Sequence, residues 1–284
     1  MTALLTVAAL TLREAGRRRV LWALGALTLI LLGLSAWGFA KIAAVEVGGA
    51  GLTSGEARLV ASEVLNLVMF GYSLVAALGT AFLAGPTLSG EIESGMALAV
   101  LARPVHRSTV LAGKWLGLVG FGSGFVALAG LAQFVVVRLT VGYWPPDPVI
   151  GLVLLAVQTA VLLTLGLLLS TVISPMASGI VAVGLFGAAW VAGIVGGVGV
   201  AIGNHSVAAV GTVSRIVLPT DGLWRGAMHA IQDPSALGAF GGVEGSAFPF
   251  LSQSSLSGVY LGWVVVWVVL IGGLAALAFG RRDI

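Results

Sequence analysis

The sequence predicts an all-α, polytopic membrane protein with six transmembrane helices, and three observations carry that expectation. Hydrophobic residues make up 58% of the 284-residue chain and mean hydropathy is +1.09, more apolar surface than a water-soluble domain of this length can hide. Six uncharged or nearly uncharged stretches are each long enough to cross a bilayer. Only 9% of residues are charged, and the cations gather where those stretches end, as lipid headgroups favour. A single membrane domain, residues 1–284, is the expected organisation.

Before the first span, residues 2–19 are too short and too interrupted by Arg13, Glu14 and Arg17 to cross a membrane. Their apolar residues fit an interfacial elbow helix. The spans are expected at about 20–39, 64–88, 110–139, 149–173, 177–202 and 256–279. Between the first two, Lys41 to Glu63 is polar and glycine-rich and reads as an exposed loop. Pro86 falls near the end of span two, where a membrane helix tolerates it. Span three is long, with Lys114 and Arg138 placed to snorkel at its two ends. Tyr143-Trp144-Pro145-Pro146 forms a tight turn with interfacial aromatics, and Ser174-Pro175 returns the chain into span five. Within residues 204–255, Thr220-Asp221 is placed to cap a helix carrying Leu223, Trp224, Met228 and Ile231, expected in the outer interfacial region. Trp37, Trp144, Trp224 and Trp263 suit an outer aromatic belt, and Trp22 and Trp115 an inner one.

With the N-terminus inside, Arg13, Arg17, Arg18, Arg19, Arg103, Arg107, Lys114, Arg281 and Arg282 are cytosolic. Lys41, Arg58, Arg138, Arg215 and Arg225 are outside, so the split is 9 to 5 of the 14 cations. The positive-inside rule is then met, with both termini cytosolic in the inner (cytoplasmic) membrane.

Several chemistries are unsupported. The chain has no cysteine, which removes disulfides and thiol catalysis. His106, His205 and His229 stand far apart in loops, and Gly122-Ser123-Gly124 has no histidine in a span to serve as base. Gly113-Lys114 is followed by Trp115 and lacks the preceding glycine of a phosphate-binding loop, so ATP would have to be hydrolysed elsewhere. Spans two, four, five and six contain no Asp, Glu, Lys, Arg or His in their expected bounds, whereas ion-driven carriers use such groups as relays. The net charge of +3 is accounted for by lipid, with no call for nucleic acid.

The one densely charged island is Gly90 to Lys114. Glu91 and Glu93 followed by Arg103 would complement a helix macrodipole, worth ~0.3–1 kcal/mol each, with Ser89 or Gly90 as N-cap and Pro104 enforcing a stop near Ala102. On such a helix Ile92, Met96, Ala99 and Val100 share one face while Leu98 and Leu101 fall near the other. It therefore lacks a water-facing side and needs a protein cover. A plainer reading keeps Glu91 and Glu93 as capping charges only.

The run Gly90-Glu91-Ile92-Glu93-Ser94-Gly95-Met96, then Leu101-Ala102-Arg103-Pro104-Val105-His106-Arg107, then Gly113-Lys114, resembles the cytosolic signature of type-2 ABC exporter permeases. Met96 stands where that family has Thr, and His106 where Ser is common. Within the family the segment is most similar to permeases encoded beside nitrous oxide reductase maturation factors and to drug or peptide exporters. The resemblance implies a cytosolic coupling helix between spans two and three. Its ATPase-docking residues would be Glu91, Ile92, Glu93, Gly95, Met96, Leu98, Val100, Leu101, Arg103, Pro104 and Arg107. It implies two ABC ATPase subunits as partners, a second permease copy or homologue, and ATP and Mg on the partner ATPase, with no cofactor on this chain. The function it implies is export of a hydrophobic or amphipathic substrate. A membrane scaffold that recruits a cytosolic partner through residues 90–114 is the alternative.

Ser123, Gln133, Gln158 and Thr159 are the candidate translocation path, though hydrogen bonding between helices explains them at least as well. Asp221, Trp224 and Met228 are the candidate outer gate. Small-residue pairs such as Gly113/Gly117, Gly120/Gly124, Gly193/Gly197 and Gly199/Gly203 suit close helix packing within the chain.

Overall fold

The computed structural model of the chain describes residues 3–17, 19–44, 46–47, 50–51, 54–93, 106–235 and 249–281. Among them are nine helices. They are α1 (Ala3–Arg17), α2 (Arg19–Ala43), α3 (Ser54–Glu93), α4 (Arg107–Val141), α5 (Pro148–Val172), α6 (Pro175–Ala201), α7 (His205–Val217), α8 (Thr220–Ile231) and α9 (Gly258–Arg281). A two-residue hairpin, β1 (Glu46–Val47) against β2 (Ala50–Gly51), follows α2. Six helices are long and apolar enough to cross a membrane, at Leu21–Ala43, Gly55–Leu88, Arg107–Val141, Pro148–Val172, Pro175–Ala201 and Gly258–Arg281. The all-α polytopic architecture is therefore present.

α5 is the centre of the bundle. It packs against α3, α4, α8 and α9 and buries Leu154, Leu155, Val161, Leu162, Leu163 and Leu167. α9 is the least enclosed span, with Val259, Val265, Val269 and Leu277 open to its surroundings. In a bilayer such faces meet lipid or another helix, so their exposure costs nothing there.

Glycine decides where helices approach most closely. A Cβ on Gly117 would stand 2.7 Å from the Ala8 carbonyl oxygen, and one on Gly113 2.9 Å from that of Leu4. The pair thus seats α1 directly on α4, as a helix lying against the bundle rather than crossing it. A Cβ on Gly199 would come 2.3 Å from the Ala208 nitrogen, and one on Gly196 2.6 Å from Gly211 Cα, so α6 and α7 close as a tight hairpin. Gly120 and Gly124 have nothing within 4 Å and take no part in packing within the chain.

Three expectations are corrected. The segment from Lys41 to Glu63 is not all loop, because α3 starts at Ser54 and carries Glu56 and Arg58 on exposed turns. Ala57, Leu59 and Ala61 are good helix formers, and burial of Ala61 and Leu65 extends the core face one turn past the uncharged stretch. This places Glu63 inside the helix, its carboxyl oxygens buried, so the second span is not free of ionisable residues. Second, Ser89 and Gly90 are not an N-cap. α3 runs unbroken through Pro86 and Gly90 to Glu93, which puts Glu91 and Glu93 in a last turn, where the macrodipole disfavours acids. Third, Lys114 does not snorkel: it is 5% exposed and its Nζ donates to the Thr87 carbonyl at 2.8 Å. A buried ammonium needs an acceptor, and the Thr87 carbonyl of α3 supplies one. Arg138 does sit exposed at its end of α4, its guanidinium 5.4 Å from the Trp144 ring.

Candidate functional site

Three places could carry function, and the chain path puts them at successive depths. At one end of the bundle lies the connection between α3 and α4. Glu91, Ile92 and Glu93 form the last residues of α3, while Gly95, Met96, Leu98, Val100, Leu101, Arg103 and Pro104 lie outside the described residues. Arg107 opens α4, and its Nη1 reaches the Phe279 and Gly280 carbonyls of α9 at 3.4 Å each. Leu88, Leu111, Ala275 and Phe279 pack together just beneath, and Lys114 crosses from α4 to Thr87 of α3. The two ends of residues 94–105 therefore leave from and return to one knot of α3, α4 and α9, with α1 braced on α4 beside it.

At mid-depth the polar candidates turn inward. Gln133 is fully buried, and its Oε1 accepts from Ser35 Oγ at 2.8 Å and Tyr72 Oη at 3.2 Å, tying α4 to α2 and α3. Gln158 accepts from Ser73 Oγ at 3.1 Å and donates to the Thr220 carbonyl at 3.2 Å, tying α5 to α3 and α8. Ser123 donates to the Ala156 carbonyl at 3.2 Å, and Thr159 to its own helix at Leu155. Each of these four side chains thus makes a hydrogen bond within this chain, Gln133 through its Oε1, while its Nε2 has no partner among the described residues. Thr164 also makes one, accepting from Trp115 Nε1 at 2.8 Å.

The opposite end is closed by α7 and α8. α8 is turned into the bundle, deeper than a helix resting on the interface: Leu223 and Met228 are fully buried and Trp224 is 1% exposed. Trp224 is accordingly no part of an aromatic belt. Its ring lies 5.4 Å from that of Phe70 of α3, which also stacks on Trp190 of α6 at 4.6 Å. Tyr143 is likewise buried, donating to the Ile231 carbonyl at 2.6 Å. Burial, with the Asp233 and Glu63 carboxylates adding, pushes its hydroxyl well above the usual phenol range and keeps that donor in place.

Asp221 does not cap α8, whose N-cap is Pro219. Its side chain is 1% exposed, and one oxygen, Oδ2, accepts from Arg215 Nε at 2.8 Å and from Arg225 Nε at 3.2 Å. Arg225 Nη2 donates in turn to the Gly193 carbonyl of α6 at 2.9 Å. Burial drives the Arg225 guanidinium below its ordinary value, an effect the neighbouring Asp221 carboxylate opposes. The i,i+4 spacing of Asp221 and Arg225 signals that pair in the sequence; nothing local points to Arg215 or Gly193. Both arginines line a cavity of about 510 Å³ between the end of α6, α7, α8 and the start of α9.

Six apolar helices long enough to cross a bilayer, with a connection between α3 and α4 at one face and a buried helix closing the other, define a multi-pass membrane protein. The chain belongs to the ABC-2 transporter family: the model described as ABC-2 family transporter protein matches residues 5–284. It is thus a permease component of an ABC transporter, a family whose members work with an ABC ATPase and generally lack an ATPase site of their own. Comparison with curated proteins gives no match.

Proposed function

We propose that the chain is the permease half of an ATP-driven exporter that moves a hydrophobic or amphipathic substrate out of the cytoplasm. Two permeases, identical or homologous, would stand side by side in the cytoplasmic membrane with both termini in the cytosol and an ATPase subunit beneath each. Glu91 to Arg107 docks the ATPase. ATP and Mg belong to that partner. The observation that carries this reading is the knot at the base of residues 94–105. A push on that segment is delivered at once to α3 through Lys114 and Thr87, and to α9 through Arg107 and Phe279. Three of six spans would then move with the ATPase.

The far end fits a gate. α8 is held by Trp224 and Met228 packing, by Asp221 and by the bonds from Gln158 and Tyr143 to its ends, yet Thr220 Oγ1 and Trp224 Nε1 are buried without a partner among the described residues. Orphaned groups of this kind cost ~1–3 kcal/mol each, which leaves α8 a seat it can quit. Ser123, Gln133, Gln158 and Thr159 meet cargo in this scheme only when α5 shifts against α3 and α4. The experiment is co-purification with an ABC ATPase followed by reconstitution: ATPase turnover should rise in the presence of the permease. A partner that binds but whose turnover ignores the permease would favour the scaffold alternative.

A further inference from the structure

The cleft formed by α6, α7, α8 and the segment leading into α9 has arginines that gating does not use. Arg215 and Arg225 contribute two positive charges and Asp221 one negative, so the cluster carries a net +1 at the wall of a cavity of about 510 Å³. Asp221 engages both arginines through Nε, at the stem side of each guanidinium. Among the described residues no protein acceptor meets Arg215 Nη1 or Nη2, or Arg225 Nη1. A planar guanidinium with a free fork is matched to an oxyanion. The same cavity is lined by Ser254, Ser255 and Ser257, all exposed, with hydroxyls able to add neutral hydrogen bonds.

The surroundings of the cleft are apolar. α7 presses its small residues, Ala208 and Gly211, onto α6. Val210, Val213, Ile216 and Val217 of α7 are exposed, as are Val200 in the last turn of α6 and Ile202 just past it. A soluble phosphate has no use for such a rim, whereas the glycerol and acyl portions of a phospholipid would lie against it. We propose that this cleft is a binding site for the phosphate group of an anionic phospholipid from the leaflet at that end of the bundle, gripped by Arg215 and Arg225 with its acyl chains along α7. The bound lipid joins α6, α7, α8 and α9 into one unit. The site stands independently of how the opposite face meets an ATPase.

The test uses the full-length protein purified in detergent, with lipid retention read by native mass spectrometry after exchange against phosphatidylglycerol or phosphatidylcholine. The unmodified protein should keep phosphatidylglycerol in preference. Arg215→Gln removes the charged donors and should lower that retention about tenfold, the size expected for hydrogen bonds to a charged group. Thr212→Glu places a carboxylate on the exposed part of the same wall without touching the Asp221 pairs, and should lower it comparably while phosphatidylcholine retention is unchanged. Undiminished phosphatidylglycerol retention in Thr212→Glu overturns the proposal. Displacement of the lipid by millimolar inorganic phosphate also overturns it, assigning the cleft to a soluble anion.

Discussion

Asp221 carries two guanidiniums on a single carboxylate oxygen, at 2.8 and 3.2 Å, and is itself 1% exposed on its side chain. Removing one member of a buried charged cluster leaves the others uncompensated, which costs about 3–5 kcal/mol in typical buried pairs. Asp221→Asn should therefore lower the thermal unfolding midpoint of the purified protein markedly, and α8 should become accessible to protease. Arg215→Gln should cost far less, since Arg215 is 32% exposed on its side chain and Asp221 keeps Arg225. The reverse ranking would mean that Asp221 is not the anchor of α8. In the sequence this residue looked like a helix cap because Asp often is one. It became an ion-pair centre because α7 brings Arg215 back over it, a contact that no local pattern encodes.

At the scale of the element, the seating of α1 on α4 depends on two glycines one turn apart. A methyl group at Gly117 would meet the Ala8 carbonyl at 2.7 Å and Thr11 Cβ at 2.9 Å, whereas one at Gly120 would meet nothing within 4 Å. Gly117→Ala should destabilise by about 1–3 kcal/mol through overpacking, while Gly120→Ala should be neutral or favourable by up to ~1 kcal/mol from helix propensity. Thermal unfolding of the two variants in the same detergent distinguishes them; equal effects would remove the close contact of α1 and α4 from the account. The six spans were legible because hydrophobic length is a strong signal, and each expected span overlaps an observed one. Their ends were less so. The start of α3 was hidden because Glu56, Arg58 and Glu63 masked a helix whose buried face is carried by Ala61 and Leu65. α7 is not foreseen because the face that it packs on α6 is small residues, Ala208 and Gly211, while its apolar stripe of Val210, Val213 and Val217 lies on the exposed side.

For the whole molecule, what distinguishes this bundle is that its charged connection springs from a single knot of spans, and its far end is sealed by a buried helix. The membrane character and the ABC-2 family could be anticipated from composition and from Gly90 to Lys114. The knot could not, because Lys114 to Thr87 and Arg107 to Phe279 join residues 27 and 172 apart. The sequence also predicts a helix start at Ser89 or Gly90, whereas α3 continues to Glu93, so Glu91 to Glu93 belong to the helix that carries the second span. The central claim of the proposed function is mechanical: force on residues 94–105 would reach α3 and α9 through the contacts at the ends of that segment. The most direct measurement is ATPase pull-down and nucleotide-dependent transport for Leu98→Asp beside Gln133→Ala. In the proposed function Leu98 is covered by the ATPase, and an unpaired charge buried in that contact would cost several kcal/mol, more than a typical hot spot of ~2 kcal/mol supplies. The account predicts that Leu98→Asp inserts normally but loses the ATPase and transport, while Gln133→Ala, deep in α4, keeps ATPase binding. Normal ATPase binding and transport by Leu98→Asp would contradict it.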